Sequence, residues 1–201
     1  GWIARKHGPA CDNLVSADVV TVGGERVRAS DEQNADLLWG LRGGGGNFGV
    51  VTSFEYRLHP IGPEVLAGGV LHSFSDAREV FRFLSDFVAE APDELSVTAS
   101  TFRASASLPV PPEMHGELVT VLAVCYAGDL DAGERVLRPL RAFGRPLADS
   151  IAPKRYTDLQ SGSDASYPSG QHNYWKSHYI DELTDDAIDA IIEHAPRMNS
   201  P

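Results

Sequence analysis

Leu41-Arg42-Gly43-Gly44-Gly45-Gly46-Asn47-Phe48-Gly49-Val50-Val51-Thr52 decides how the rest of the chain is read. Four consecutive glycines add unfolded-state entropy that folding must overcome. Such a run persists where a ligand or another backbone comes closer than a Cβ atom would allow. Ahead of it, residues 30–41 read as a helix, with Ser30 as N-cap, Gln33 completing a capping box, and Leu37, Leu38 and Leu41 at helical spacing. Behind it, residues 50–58 alternate as a strand. The order is helix, glycine loop, strand.

That order excludes the usual dinucleotide fingerprint. Gly44, Gly46 and Gly49 satisfy G-x-G-x-x-G, but the fingerprint needs a strand before the glycines and a helix after them. No G-x-x-x-x-G-K-[ST] is present, so a P-loop is not supported. The plain alternative is a flexible glycine linker. Asn47-Phe48 inside the run and the strong strand behind it argue instead for an ordered loop that a ligand approaches closely.

A second segment, Gly1-Trp2-Ile3-Ala4-Arg5-Lys6-His7-Gly8-Pro9-Ala10-Cys11-Asp12-Asn13-Leu14, is followed by Ser16-Ala17-Asp18-Val19-Val20-Thr21-Val22. With the helix, the glycine loop and residues 54–60, it closely resembles the FAD-linked oxidases related to berberine bridge enzyme. That family lies within the vanillyl-alcohol-oxidase, PCMH-type flavoprotein superfamily. The resemblance is strong over residues 1–60 and looser beyond. It implies FAD as cofactor, lined on one side by Gly1, Trp2, Lys6, His7, Gly8 and Asn13. On the other side it implies Gly45, Gly46, Asn47, Phe48, Gly49, Val50 and Val51. Bare backbone N–H groups can hydrogen-bond pyrophosphate or flavin carbonyls with no side chain intervening. For Trp2, Phe48 and Val51, ordinary core packing explains the residue type equally well. The resemblance also implies a fragment. The sequence opens inside the family's second flavin motif, without the upstream histidine or cysteine that anchors flavin covalently in some relatives. It ends before the last strands of the substrate domain and the Asn-Tyr motif. Cys11 is not assigned an anchoring role.

Composition narrows the partners. The net charge is −11, and the 17 basic residues form no cluster and do not interleave with aromatics, which disfavours nucleic acid and anionic membranes. No apolar run reaches the length of a membrane span and no signal peptide is visible, so a cytoplasmic setting is the default expectation. Cys11 and Cys125 alone make no disulfide framework. The seven histidines show no H-E-x-x-H and no zinc spacing with cysteine, so no metal is expected.

Along the chain, strands are expected at 18–22 and 26–29, joined by a Gly23-Gly24 hairpin turn. Residues 59–63 read as a stiff exit linker. Beyond it the pattern predicts strand 66–74, helix 76–90 capped by Ser75, and strands 95–102 and 118–126. Helix 131–143 follows, bent or ended by Pro139, then strand 172–180 and a helix 185–194 capped by Thr184. The fold class is therefore α+β. Residues 1–62 read as the C-terminal part of a PCMH-type FAD-binding domain. Residues 63–201 read as a ferredoxin-like antiparallel-sheet substrate domain, helices on one face, incomplete at its C-terminus.

Chemistry in the second part is weakly signalled. Strand alternation over Tyr174-Trp175-Lys176-Ser177-His178-Tyr179 puts Tyr174, Lys176 and His178 on one face, a row that would suit an active-site wall. An ordinary strand with a solvated polar side is the competing reading. Tyr126 and Tyr156 read as packing residues. The resemblance implies hydride removal from a C–H bond beside a hydroxyl or amine, with O2 reoxidising the flavin. Sugars, alkaloids, phenols and polyketide-like antibiotics all suit such a protein, and the oligomeric state stays open. Two other classes compete: a non-catalytic remnant binding small molecules or partners, and a hydrolase or isomerase using the glycine loop as an anion nest.

Overall fold

The computed structural model describes residues 1–197 other than 107, 165, 166, 171 and 173. The chain divides into two compact units, Gly1–Pro60 and Ile61–Pro201.

In the first unit, α1 (Ala4–His7) and a 3₁₀ turn (Ala10–Asn13) lead into β1 (Leu14–Val20). Then come β2 (Arg26–Ala29), α2 (Ala35–Leu41), a second 3₁₀ turn (Gly45–Phe48) and β3 (Val50–Tyr56). β1 is the centre of an antiparallel sheet ordered β2-β1-β3. Its hairpin to β2 closes on bonds from Thr21 N to Glu25 O and from Gly24 N to Thr21 O, both 2.9 Å. α2 covers the sheet through Leu38, which packs with Leu14 and Ala29. The buried Ser16 hydroxyl donates to Glu55 Oε2 at 2.6 Å and accepts from Arg28 Nη2 at 2.8 Å, so no polar group is stranded there.

The helix expected over 30–41 is shorter than the sequence suggests. Ser30 Oγ accepts from Gln33 N at 3.1 Å, as a cap would, but Ser30 N donates to the Gln33 carbonyl rather than to its side chain. Asn34 then adopts left-handed φ 54°, which breaks helical continuity, and regular turns begin only at Ala35. Ser30 caps a turn.

The second unit opens with β4 (Glu64–Ser73), a 3₁₀ turn (Phe74–Asp76) and α3 (Ala77–Ala89). β5 (Leu95–Arg103), β6 (Leu118–Tyr126) and α4 (Leu130–Ala142) follow. β7 (Ala148–Asp149), β8 (Ala152–Arg155), α5 (Tyr156–Ser161) and α6 (Asp185–His194) complete it. The sheet runs β5-β6-β4-β7, with β8 also paired to β4, and every pairing is antiparallel. Two βαβ halves interleaved in this order are the ferredoxin-like arrangement. Register places Leu66 and Leu95 beside Tyr126, and Val70 and Ala99 beside Leu122. These rows meet Val80 and Leu84 of α3 and Leu137 and Leu140 of α4 in one core cluster, so both helices lie on the same face. Each such side chain contributes about 1.5–3 kcal/mol on burial.

Gly68 shows why β4 carries two glycines. At φ +151°, a Cβ there would lie 2.3 Å from Ser150 O, and Ser150 also bonds Gly69 N through its hydroxyl at 3.0 Å. The close approach lets β7 and β8 pair with β4 on either side of Ser150.

Three local expectations change. The Ser75 side chain does not cap α3; Ser73 Oγ accepts from Ser75 N and starts the 3₁₀ turn before it. Pro139 neither ends nor interrupts α4, which runs on to Ala142 behind an Asp129 cap that accepts from Ala132 N at 2.8 Å. The strand expected over 172–180 is not formed by its described residues, 172 and 174–180, which are irregular and exposed; residue 173 lies outside the description. Thr184 does cap α6, accepting from Ala187 N.

Candidate cofactor site

The glycine run divides by what each position touches. A Cβ on Gly44 would sit 2.4 Å from Gly40 O and 2.5 Å from the Phe48 ring, so this glycine lets Phe48 fold back over the end of α2. Gly49, at φ +137°, brings the loop so near β1 that a Cβ would lie 2.4 Å from Val20 O. Those two are fixed by internal packing. Gly45 and Gly46 differ: a Cβ on either would meet nothing within 4 Å. The loop thus presents a bare backbone edge, exposed, between two anchored ends. Its flank is also tied inward, because Asn47 Nδ2 donates to Gly44 O at 2.7 Å. Val50, 68% exposed, stands beside it with its side chain outside any core.

The segment before β1 is organised by Asn13. Its Nδ2 donates to His7 O at 2.8 Å and to Pro9 O at 3.1 Å. Oδ1 is then the acceptor, so His59 Nε2, 2.6 Å away, carries the proton. The His7 and His59 rings stack with centroids 3.9 Å apart. Asn13 therefore holds the loop that carries Lys6, His7 and Gly8 against the chain leaving β3. Trp2 is partly buried, while Gly1 has open space around it. Sequence reasoning placed His59 in a linker; its tie to residues more than forty positions earlier leaves no local pattern. Arg42 was also unassigned. Its Nε and Nη2 both donate to Leu14 O, at 3.1 and 2.7 Å, fastening the start of the glycine loop to the start of β1.

Asn13 stands at the start of β1, and the glycine loop runs beside the strand from Arg42, tied to Leu14, to Gly49, which lies on Val20. Exposed glycine backbone and a cross-tied loop along one strand suit a ligand carrying a pyrophosphate or hydrogen-bonding rings.

In the second unit, Tyr174, Lys176 and His178 are all exposed and, with no strand there, share no face. Tyr126 is a packing residue, its ring pressed against Gly128 and Gly133. The Tyr156 phenol is pushed up by burial and then by the neighbouring Cys125 thiol. Among the described residues no group of three or more His, Cys, Asp or Glu side chains is placed to hold a metal. No helix among them is long and apolar enough to cross a membrane.

No protein-family model matches the sequence. The chain is 30% identical over 196 residues to an FAD-linked oxidoreductase of Dictyostelium discoideum, covering 96% of this chain and 40% of that protein. It is 33% identical over 177 residues to (R)-6-hydroxynicotine oxidase of Paenarthrobacter nicotinovorans, covering 87% of this chain and 37% of the relative. The solved structure of BBE-like 1 from Physcomitrella patens superposes with a TM-score of 0.74 at 21% identity, over 98% of this chain and 44% of that one, a likeness of fold. The chain spans about two fifths of the length of the proteins it matches.

Proposed function

From a chain whose homologues are FAD-linked oxidoreductases and whose fold is that of BBE-like oxidases, we infer that the protein carrying it is an FAD-dependent oxidase. The relatives are enzymes. The observation that carries the reading to this chain is the bare Gly45–Gly46 edge, held open by glycines whose neighbours Gly44 and Gly49 are committed to packing. FAD, when bound, supplies the acceptor for a hydride from a C–H bond beside a hydroxyl or amine, and O2 takes the electrons onward.

The chain's own residues bind and orient. Gly45 and Gly46 offer backbone groups with no side chain in the way. Arg42 and Asn47 hold that loop along β1, and Asn13 with His59 holds the loop bearing Lys6, His7 and Gly8. Residues 1–62 serve the cofactor in this reading, and residues 63–201 supply a sheet for the substrate. Its chemistry is that of a small molecule bearing an oxidisable alcohol or amine. The test is the visible spectrum and oxygen uptake of the full-length protein. Flavin bands near ~450 nm, bleached by substrate and restored by air, are expected. A folded, full-length protein that stays colourless with added FAD overturns the oxidase in favour of a binding module.

A further inference from the structure

His72 is the one buried side chain whose polar atoms, both Nδ1 and Nε2, find no hydrogen-bond partner among the described residues. It is fully buried near the end of β4, on the face that carries α3 and α4. A buried imidazole without partners is costly, and native structures keep such groups only with a reason. Its register neighbour Thr120 gives no relief, because that hydroxyl lies 3.3 Å from Thr101 Oγ1. The cover is thin. The Phe143 ring meets the imidazole edge-on with centroids 6.2 Å apart. Gly144 follows in a tight turn at φ +64°, so placed that a Cβ there would be 3.9 Å from both Cε1 and Nδ1. The turn is pinned beyond by Leu147 N donating to Leu71 O at 2.7 Å. Beside the ring lies a cavity of about 410 Å³, lined also by Asp76, Glu79, Val80, Phe143, Gly144 and Arg145.

We propose that His72 is an acid-operated latch beneath the 143–147 turn: neutral, it stays sealed; protonated, it opens the turn and reaches the carboxylates of Asp76 and Glu79. The charges facing it set this direction. Asp76 from the 3₁₀ turn and Glu79 from α3 attract an imidazolium, and Arg145 from beyond α4 opposes it. β5 and β6 bring the Thr101 and Thr120 hydroxyls to the same row, with Arg103, a second opposing charge, two residues further along that face. Burial pushes the His72 pKa down, and Asp76 works weakly against that. The proton therefore binds the opened state more tightly than the closed one. Opening is favoured progressively as pH falls below the ordinary histidine pKa of about 6.5, by at most about tenfold per unit, until the closed-state ring also takes a proton.

Hydrogen exchange on the full chain from pH 7.5 to 5 tests this. Amide protection over 143–147, normalised to the intrinsic rate at each pH, is expected to fall as pH drops below about 6.5, by at most about tenfold per unit. Leu122 and Val124 amides in β6 should hold. In His72→Leu the profile of the turn should be flat. An equal acid slope in that variant, or protection independent of pH in the wild type, overturns the latch. Should His72→Leu not fold, ¹⁵N titration of the wild-type ring decides. A midpoint below 6.5 that coincides with loss of protection at 143–147 supports the proposal. An ordinary midpoint with the turn still protected refutes it.

Discussion

At the scale of single residues, neighbouring glycines in one run have opposite tolerances. Gly44→Ala drives a methyl into Gly40 O and the Phe48 ring, backbone on one side and a packed aromatic on the other. It should cost about 1–3 kcal/mol, read from urea unfolding. Gly46→Leu meets open space, and Gly46 has no positive φ to strain. Its stability should change by less than about 0.5 kcal/mol, as for an unpacked surface site. The same leucine covers the bare edge, so FAD affinity of the full-length protein should fall tenfold or more by flavin fluorescence titration. Unchanged affinity in a folded Gly46→Leu protein would remove this loop from the cofactor site. Asn13 answers differently again. Its amide is committed to His7 O, Pro9 O and His59, so Asn13→Ala gives up three hydrogen bonds around carbonyls that water can still reach and costs about 0.5–1.5 kcal/mol. Its importance was legible as a motif letter; its role as a tie was not.

At the scale of elements, the sequence reveals those whose signal is local. β6 reads as a strand because Leu118 to Tyr126 is an unbroken β-branched and apolar run, and both of its faces are packed. α6 reads true because Thr184 and the following acidic turn form an N-terminus by themselves. Residues 174–180 carry strand formers in alternation, yet a strand also needs a partner edge, and nothing local supplies one. Pro139 misled in the other direction. Its ring sits on the exposed side of α4, where Leu137 and Leu140 bury the opposite face, and tertiary packing outweighs the missing N–H. Pro139→Ala, which restores that N–H, should stabilise the second unit by about 1–3 kcal/mol in denaturant melts. The β1–β3 pairing carries its own pH signature. The Glu55 carboxyl is held below its ordinary value chiefly by the Ser16 hydroxyl, with Arg28 assisting. A depressed folded-state pKa means the contribution is present above the unfolded value of about 4.3 and lost as pH falls through the folded one. Ser16→Ala should move the Glu55 titration, followed by carboxyl NMR, back upward. An unmoved titration would show that Arg28 alone sets it.

At the scale of the whole chain, each unit carries one cysteine, and the two environments differ enough to report on them separately. Cys11 lies partly exposed in the 3₁₀ turn before β1, in the loop that Asn13 organises. Cys125 is buried in β6, and burial pushes its thiol up to about 11. The thiolate is the reactive form, so at pH 8 this shift alone leaves roughly one part in a thousand reactive. Cys11, partly exposed, should react with a disulfide reagent in the native chain, while Cys125 reacts only when the second sheet opens. Raising denaturant in steps then yields two labelling curves, one for each unit. If the first unit's loop belongs to the cofactor site, FAD added to the full-length protein binds its folded form and slows Cys11 by mass action. Cys125 should keep its rate if the second unit's stability owes nothing to that ligand. FAD that protects Cys125 while leaving Cys11 untouched would reverse the assignment of cofactor to the first unit and substrate to the second.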